Sequence, residues 1–516
     1  MAVYKVANLV VSGVYRDSVQ LMEVSESIKR LKGVVDAAVV MGTVSNKESL
    51  KPLGLLTSEG EKAGPNDIII AVKAAGNIEE ILETSKKLLF ETHVTAPKYI
   101  SIEEALNANP DVKFASISIP GGYVEEVAVK LIEGNVNLFI FSDHVPIETE
   151  VSLKRKASSR DLLVMGPEAG TAFVAGVGFG FANNVMRGNV GVVASAGSGI
   201  QEFVTLLDRY GIGVSHAIGV GARDLSEKVG GIMAQRALRL LNGDSDTKFI
   251  AFIAKHSDIN VVKRILEEEK ISKPLALCLL GVSQPITDQP QSHTLHGLVM
   301  HIASQLSRGK RDEMINSLLR EADTLKKMVS HEPGFPRGFY SGGTLATETA
   351  YVWNKAGLEI YSNIGLSWIR KLDNPYTSIG ATIVDYGSEE FTEGRPHPII
   401  DPTLRNRRIV TELESDSTNS IAMDLIIGYG APDNIVSKVF DEIGEAVLKN
   451  RKKRLAVRVV GTDKDYQWPQ VSGIEKFGVL TPSSNAMAAV FTAACGKNDP
   501  SLVDFLISEL ILEVEK

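Results

Sequence analysis

The stretch Gly191-Val-Val-Ala-Ser-Ala-Gly-Ser-Gly199 predicts a buried strand that ends in a Gly/Ser turn and enters a helix over residues 200–210. A second stretch, Gly338-Phe-Tyr-Ser-Gly-Gly-Thr344, leads in the same way into a helix over residues 345–353. The first turn of a helix presents unpaired backbone N–H groups, which attract anions and above all phosphate. A Gly-rich turn also occurs where strand and helix only pack tightly.

The two turns together predict one anion site made of two half-sites that face each other. This hypothesis requires Ser195 and Ser341 to lie at a common site. The predicted phosphate-binding residues are Ser195, Ala196, Gly197, Ser198, Gly199, Ser341, Gly342, Gly343 and Thr344.

Strand and helix patterns alternate along the whole chain, which predicts an α/β fold with parallel sheets. Residues 1–98 suggest a small ferredoxin-like docking or regulatory module, and residues 99–188 a Rossmann-type domain that resembles CoA-binding domains. Residues 189–330 predict a flavodoxin-like domain that ends in a helical spacer. Residues 331–516 predict a second flavodoxin-like domain.

Composition narrows the class of partner. The 516 residues carry a net charge of −8, and 44% of them are hydrophobic. An acidic chain without a basic stripe is a poor binder of nucleic acid or anionic membranes. No apolar run is long enough to cross a bilayer and no signal peptide is visible, so we expect a cytoplasmic protein. Two isolated cysteines, Cys278 and Cys495, indicate buried thiols. No spacing of Cys, His or Glu predicts a metal site.

Glycines at a crossover mark a further candidate site. Gly121 and Gly122 follow the predicted strand 114–120 and precede a helix, at the position where a Rossmann-type sheet binds its ligand. The motif is not a full G-x-G-x-x-G and does not specify a dinucleotide.

The Gly121-Gly122 crossover is followed by a Gly166-Pro167 loop and then by the Gly191–Gly199 turn, and this order resembles the alpha subunit of succinyl-CoA synthetase. The segments Tyr340-Ser-Gly-Gly-Thr-Leu-Ala-Thr-Glu-Thr-Ala350 and Ala381-Thr-Ile-Val-Asp-Tyr-Gly387 resemble the carboxyl-terminal domain of the beta subunit. In that family two helices aim their N-termini at a shared phosphate. The resemblance implies a CoA-like site at Gly121 and Gly122, with CoA as a possible cofactor.

The chain as a whole is similar to FdrA proteins over about residues 1–500. The segment Gly394-Arg-Pro-His-Pro-Ile-Ile-Asp-Pro-Thr-Leu-Arg-Asn-Arg407 is the most specific part, and Gly428-Tyr-Gly430 and Pro482-Ser-Ser-Asn485 also match. That family is described both as acyl-CoA synthetase-like and as a subunit of an oxamate carbamoyltransferase. Either description implies a hetero-oligomer and small-molecule substrates.

The two descriptions require different catalytic elements, and the sequence lacks those of a succinyl-CoA synthetase. A succinyl-CoA synthetase passes phosphate through a histidine in a Gly/Ala-rich loop, whereas His293, His296 and His301 stand at the entrance to a predicted helix. The sequence shows no ATP-grasp-like domain ahead of residue 331 and no G-x-x-x-x-G-K-[ST] motif. A carbamoyltransferase needs less, because carbamoyl phosphate is already activated and positioning supplies most of the catalysis. The sequence therefore favours transfer of a carbamoyl group between carbamoyl phosphate and oxamate.

The resemblance also suggests roles for single residues. His397, Arg395 and Arg405 are the predicted catalytic residues, since a guanidinium suits a carboxylate and an imidazole polarises a carbonyl or moves a proton. The remaining residues predicted to contact substrate are Asn406, Arg407, Gly428, Tyr429, Gly430, Ser483, Ser484 and Asn485. A rigid loop and a solvated helix face would explain the 395–408 region without function.

Two other functions stay open at this point. One is a subunit of an acyl-CoA synthetase that works with a partner carrying ATP-grasp. The other is a non-catalytic scaffold or regulator. The acceptor, the oligomeric state and activity of the chain alone are not determined by the sequence.

Overall fold

The computed structural model describes residues 4–512 except 15, 17, 52, 92–98, 100, 256, 283, 307 and 394. Two compact units divide the chain. The first consists of Met1–Pro110 with the short segment Glu393–Arg395, and the second of Asp111–Thr392 and Pro396–Lys516.

A three-stranded antiparallel sheet forms the first unit, in the order β1-β3-β2. The alternation of strand and helix predicted for this module is found over residues 5–91. The central strand is buried on both faces, with Ile68 and Ile70 under one layer of helices and Ile69 against Leu50 and Leu55. The elements are β1 Lys5–Val11, α1 Ser18–Lys29, β2 Val34–Met41, α2 Val44–Leu50, α3 Ser58–Glu61, β3 Ile68–Ala74, α4 Ile78–Glu91 and α5 Ile102–Ala108.

The second unit begins with a small parallel sheet of order β4-β5-β6. Its first crossover is a single turn of 3-10 helix at Gly121–Tyr123, which continues directly into a helix. The longer elements are β4 Phe114–Ile117, α6 Val124–Glu133, β5 Asn137–Ile140, α7 Ile147–Ser158 and β6 Val164–Met165.

A seven-stranded sheet follows, in the order β13-β12-β11-β9-β10-β7-β8. The chain leaves β9 toward β10 and returns toward β11, so the carboxyl end of β9 is the switch point where α/β sheets bind ligands. The elements are β7 Thr171–Val174, β8 Val177–Gly180, β9 Arg187–Ala194, α8 Gly197–Arg209, β10 Val214–Gly219, α9 Ile232–Gly243, β11 Phe249–Lys255, α10 Ile259–Glu268, β12 Leu275–Leu280, β13 Gln291–Ser292, α11 Leu295–Leu306 and α12 Arg308–Met328.

A six-stranded parallel sheet completes the unit, in the order β16-β15-β17-β14-β18-β19. Strand β14 lies between β17 and β18, so the second Gly turn also follows a central strand. The elements are β14 Phe335–Tyr340, α13 Gly343–Lys355, β15 Ile360–Ser362, β16 Arg370–Lys371, β17 Ala381–Asp385, α14 Glu389–Thr392, α15 Thr403–Glu414, β18 Thr418–Ile426, α16 Ile435–Lys449, β19 Arg454–Val460, α17 Trp468–Val471, α18 Asn485–Lys497 and α19 Ser501–Leu512.

These sheets confirm the predicted fold class, but two local predictions are wrong. Helix α12 is not a spacer, because Met314, Leu318, Ala322 and Leu325 form a buried stripe in the main core. The apolar run Phe477–Leu480 predicts a strand, but at Phe477 the structure has the end of a 3-10 helix followed by a left-handed glycine.

Candidate functional site

The two Gly/Ser turns lie side by side. Helix α8 begins at Gly197 and α13 at Gly343. A methyl group placed on Gly199 would come within 2.8 Å of Thr344 Cγ2, and one on Gly342 within 2.9 Å of Ser198 Oγ. The first turns of the two helices are therefore in contact, and their unpaired N–H groups and positive dipole ends converge. This is the shared location that the sequence hypothesis required.

Two hydroxyl groups at this junction lack a hydrogen-bond partner in the part of the chain that the structure describes. Ser195 and Thr344 are each 1% exposed, and neither Ser195 Oγ nor Thr344 Oγ1 forms a hydrogen bond among the described residues. Leaving a buried polar group unpaired costs about 1–3 kcal/mol. An oxyanion bound between the helices would accept both hydrogen bonds, and this makes the junction a candidate phosphate site.

A buried ion pair fixes the β14 turn. Asp424 of β18 accepts hydrogen bonds from the Ser341 amide at 2.9 and 3.0 Å and from Ser341 Oγ at 2.9 Å. Arg405 of α15 donates from Nη1 to Asp424 Oδ1 and to Ser341 Oγ, both at 2.6 Å. Burial raises the pKa of Asp424, and the Arg405 guanidinium opposes that shift. Arg405, predicted as catalytic, is thus placed to orient Ser341.

Three further side chains surround the first turn of α13. A methyl on Gly343 would lie 2.7 Å from both Asp385 Oδ2 and Lys255 Nζ, and one on Gly387 would lie 2.9 Å from His397 Nε2. Burial raises the pKa of Asp385, while Lys255 acts in the opposite direction. The predicted residue His397 is therefore close to the anion site, in company with an ammonium and a carboxylate.

His397 is held as a neutral imidazole. Burial is the main cause that lowers its pKa to about 4, with Arg405 and Lys255 adding to the effect. The Ile399 amide donates to His397 Nδ1 at 3.3 Å. The neutral ring then carries its proton on Nε2, a tautomer inferred from this contact, and Nε2 is a hydrogen-bond donor near neutral pH.

Sequence reasoning missed Lys255 and did not assign a role to Asp385. Both are the last residue of an apolar strand, Lys255 of β11 and Asp385 of β17. These strands neighbour β9 and β14, so their carboxyl ends lie at the same edge as the two turns. The position of a charged residue at the end of a buried strand was the available signal.

Several predicted contact residues lie elsewhere. The Tyr429 amide donates to the Ala182 carbonyl at 2.8 Å, and the Tyr429 side chain is exposed and borders a separate cavity of about 360 Å³. Gly428 packs against Ala182 and Asn183, and Gly430 against Phe181. Residues 428–430 thus contact residues 180–183 and Tyr466, whose Oη donates to the Gly428 carbonyl at 3.2 Å.

The residues Ser483–Asn485, which were predicted to contact substrate, are buried. Ser484 caps α18 and bonds to His296 Nδ1 at 2.7 Å. Asn485 Nδ2 donates to Glu348 Oε2 at 2.8 Å, and its amide donates to Glu202 Oε1 at 2.9 Å. All these side chains are buried, so Ser484 and Asn485 form an internal polar network. Their predicted contact with substrate has no support in this geometry.

The residues predicted in helix α15 and in the loop before it differ in their exposure to solvent. Asn406 is buried and donates to Glu442 Oε2 at 3.1 Å, whereas Arg407 points to solvent. Arg395 is exposed and belongs to the first unit. A role for Arg395 stays a prediction.

The histidine cluster shows no feature of a phosphate carrier. His293 stacks on Tyr351 with ring centroids 4.9 Å apart, eight residues into α13 and roughly 12 Å from its start. Burial lowers the pKa of His296 to about 3.

The predicted CoA-like turn is open but acidic. A methyl on Gly122 would meet nothing within 4 Å, whereas one on Gly121 would lie 2.4 Å from the Asp143 and His144 carbonyls. Glu125 and Glu126 occupy the first turn of the following helix. Carboxylates at this end weaken the attraction for phosphates, and the CoA-like role of Gly121 and Gly122 stays a prediction.

No described helix is long and apolar enough to span a membrane. No group of three or more described His, Cys, Asp or Glu side chains is arranged to hold a metal ion.

Family models match both ends of the chain. Residues 4–106 match the model "AllF, heavy metal-associated domain", and residues 339–495 match "CoA-ligase". The first stretch contains no cysteine, so it lacks thiolate ligands for a soft metal.

Known proteins of similar sequence include YahF and an alpha subunit of succinate–CoA ligase. The uncharacterized protein YahF of Escherichia coli K12 is 34% identical over 467 residues, which are 87% of this chain and 90% of YahF. The alpha subunit of ADP-forming succinate–CoA ligase from Staphylococcus epidermidis is 26% identical over 165 residues, or 31% of this chain and 52% of that subunit.

Solved structures with similar folds include the apo form of a dinucleotide-forming acetyl-coenzyme A synthetase from Ca. Korarchaeum cryptofilum. It is 15% identical with a TM-score of 0.29, covering 78% of this chain and 85% of that one. ATP citrate lyase from Methanothrix soehngenii, in complex with citrate and coenzyme A, is 12% identical with a TM-score of 0.31, covering 81% and 83%.

The carbamoyltransferase prediction is wrong. The CoA-ligase match and the similarity to succinate–CoA ligase favour an acid–CoA ligase, which was the alternative. The predicted substrates carbamoyl phosphate and oxamate, and the predicted partner transferase chains, therefore have no support either. The physical reason is that backbone amides recognise an oxyanion common to many acyl phosphates, so the phosphate cradle does not identify the acceptor.

Proposed function

This chain belongs to the same family as YahF, and from that premise we propose that it is an enzyme of the acid–CoA ligase type. Its second unit binds the phosphate group of an acyl phosphate and releases inorganic phosphate as the acyl group moves to CoA. Membership among FdrA proteins remains a prediction.

The junction of α8 and α13 is the observation that supports this proposal most. Two helix N-termini in contact, with the unpaired hydroxyls of Ser195 and Thr344, form an anion site in which donors are already oriented. Donors fixed before the reaction stabilise developing charge without reorganisation. Lys255 adds a positive charge beside Gly343, where the Asp385 carboxylate lies equally close.

The proposed step balances without a redox partner. The CoA thiolate sulfur attacks the acyl carbon, a C–S bond forms, and the C–O bond to phosphate breaks. The thiol proton is finally carried by the released phosphate. In this chain the helix amides and Lys255 hold the leaving phosphate, and His397 Nε2 donates a hydrogen bond at the rim of the site.

Formation of the acyl phosphate is assigned to another chain. The sequence has no G-x-x-x-x-G-K-[ST] motif, His293 stacks on Tyr351, and His296 is bonded to Ser484. We therefore propose a hetero-oligomer in which a partner phosphorylates the acid. A CoA site at Gly121 and Gly122 remains a prediction, against which Glu125 and Glu126 speak.

The test supplies the activated substrate directly. Purified chain, alone and with candidate partner chains, is mixed with acetyl or succinyl phosphate and CoA, and thioester and phosphate are measured together. We expect CoA-dependent phosphate release that the double variant Ser195→Ala/Thr344→Val abolishes. The matched double variant Ser437→Ala/Thr411→Val changes exposed hydroxyls and should retain it.

Absence of thioester with every acyl phosphate and every partner combination would overturn the ligase assignment. Retained activity in Ser195→Ala/Thr344→Val would overturn the proposed location of the phosphate.

A further inference from the structure

A second polar pocket lies at the opposite end of α8. This helix runs from Gly197 to Arg209, so its two ends are roughly 18 Å apart. The pocket, about 330 Å³, is formed by the end of α8, the middle of α12 and the loop before α18. Its lining includes Arg209, Ser317, Arg320, Glu321, Thr481 and Ser483.

Two arginines face this pocket without a charged partner. Arg209 and Arg320 are exposed, and neither forms an ion pair or a side-chain hydrogen bond within the described part of the chain. Arg209 is not needed to cap its own helix. The end of α8 is instead capped by Lys310, whose Nζ donates to the Tyr210 carbonyl at 3.2 Å and to the Gly211 carbonyl at 2.7 Å.

The base of the pocket contains an unsatisfied donor. Ser483 is 4% exposed, and its Oγ forms no hydrogen bond among the described residues. The Ser483 amide donates to Glu321 Oε1 at 2.8 Å, which fixes the one carboxylate of the lining on the protein itself. The two guanidinium groups and the serine hydroxyl are thus left for a ligand.

Buried polar atoms next to this pocket also lack hydrogen-bond partners in the described structure. Tyr210 Oη and His296 Nε2 are buried and unpaired in the described structure, and their rings lie 6.2 Å apart. His296 is tied through Nδ1 to Ser484, the residue after Ser483. Unsatisfied polar atoms of this number are uncommon in a folded interior and require an explanation.

We propose that this pocket binds a phosphate-bearing small molecule, with the phosphate between Arg209 and Arg320 and Ser483 Oγ as a third donor. A tetrahedral oxyanion accepts hydrogen bonds from several directions, which suits two separate guanidinium groups and a hydroxyl. A volume of about 330 Å³ lies in the range of small-molecule pockets and accommodates more than phosphate alone. The site is separate from the oxyanion junction and independent of the proposed reaction.

The experiment uses the full chain and two probes, inorganic phosphate and ADP, in calorimetric titrations at low salt. The Ser195→Ala/Thr344→Val background removes hydroxyl donors of the other anion site. We expect Arg209→Gln/Arg320→Gln to weaken binding of the better probe by at least about tenfold in this background, because two charge-assisted contacts are lost. Ser483→Ala should weaken it by less.

The matched control Arg155→Gln/Arg451→Gln removes two exposed arginines on other elements and should leave binding unchanged. Tighter binding of ADP than of phosphate indicates a nucleotide-like ligand, whereas equal affinities indicate free phosphate, and both outcomes support the site. Binding unaffected by Arg209→Gln/Arg320→Gln contradicts it. Dissociation constants above about 1 mM for both probes also contradict it.

Discussion

The β9–α8 turn and the β14–α13 turn follow one backbone plan but differ in what holds them. Ser341 is bonded through its amide and hydroxyl to Asp424 and Arg405. Ser195 has only its amide engaged, with the Ile253 carbonyl at 3.1 Å, and its hydroxyl is free among the described residues. One turn is fixed by charges and the other keeps its hydroxyl available.

The difference suggests a division of labour across the junction. A rigid turn on the β14 side sets the position of α13, and that position determines where the hydroxyl of Thr344 lies. The β9 side contributes Ser195 Oγ without a competing internal partner. Substitutions on the β14 side should therefore affect stability first, and those of Ser195 and Thr344 should affect binding first.

The largest effect is expected for Asp424→Asn. This change leaves Arg405 buried without a compensating charge, which costs about 3–5 kcal/mol. Urea unfolding monitored by circular dichroism measures the loss. The exposed residue Asp463 provides a control in Asp463→Asn, which should be neutral. A loss below about 1 kcal/mol in Asp424→Asn would mean that this pair does not stabilise the turn.

A smaller effect is expected for Gly199→Ala. The added methyl would lie 2.8 Å from Thr344 Cγ2 and 3.1 Å from Ala196 Cβ, so the two helix ends must separate. Overpacking of this kind costs about 1–3 kcal/mol, and phosphate affinity should fall by about tenfold or more. Gly122→Ala meets open space and serves as the control. Equal phosphate affinities for the two variants would refute a tight junction.

Three hydroxyl variants sharpen the comparison further. Ser195→Ala and Thr344→Val should each weaken phosphate binding by about 1.5–3 kcal/mol, the worth of a hydrogen bond to a charged group. Their free energy of unfolding without ligand should not fall, and should rise by up to about 1–3 kcal/mol, since neither buried hydroxyl has a partner among the described residues. Ser341→Ala should show the reverse pattern, with stability reduced more than affinity. Calorimetry and urea unfolding of the same samples decide this, and identical patterns for Ser195 and Ser341 would remove the distinction.

The smallest effect concerns His397 and pH. Its pKa is about 4 in the folded chain and about 6.5 when unfolded, so below pH 6.5 the unfolded state binds a proton that the folded state does not. This contribution to stability is present above pH 6.5 and is lost as pH falls toward 4. About 1 kcal/mol should be lost by about pH 5.5. The difference in unfolding free energy between wild type and His397→Gln should narrow over that range, and a constant difference would contradict the shifted pKa.

Local features of the fold could be predicted from sequence because neighbouring residues determine them. The Gly/Ser turns at residues 195–199 and 341–344 directly follow apolar strands, and both lie where the pattern placed them. Helix α12 was misjudged because its many charges conceal an apolar stripe that includes Met314 and Leu325.

Contacts between residues far apart in the chain could not be predicted from the sequence. The sequence pointed to Arg405 but not to its pairing with Asp424, 19 residues away, and the strand-end position of Lys255 did not reveal its approach to Asp385. The polar run Ser483–Asn485 was expected in a cleft. Its partners include Glu348, 137 residues away from Asn485, and that pairing places Asn485 in the interior. The acceptor of the reaction was not determined by the cradle at all, since any phosphate satisfies the same amides.

A crystal soaked with tungstate tests the central claim most directly, because this tetrahedral oxyanion is located by its anomalous signal. The proposal predicts a strong peak at the α8–α13 junction, within hydrogen-bonding distance of Ser195 Oγ, Thr344 Oγ1 and the amides of the two first helical turns. Strong tungstate peaks elsewhere, with none between Ser195 and Thr344, would contradict the account.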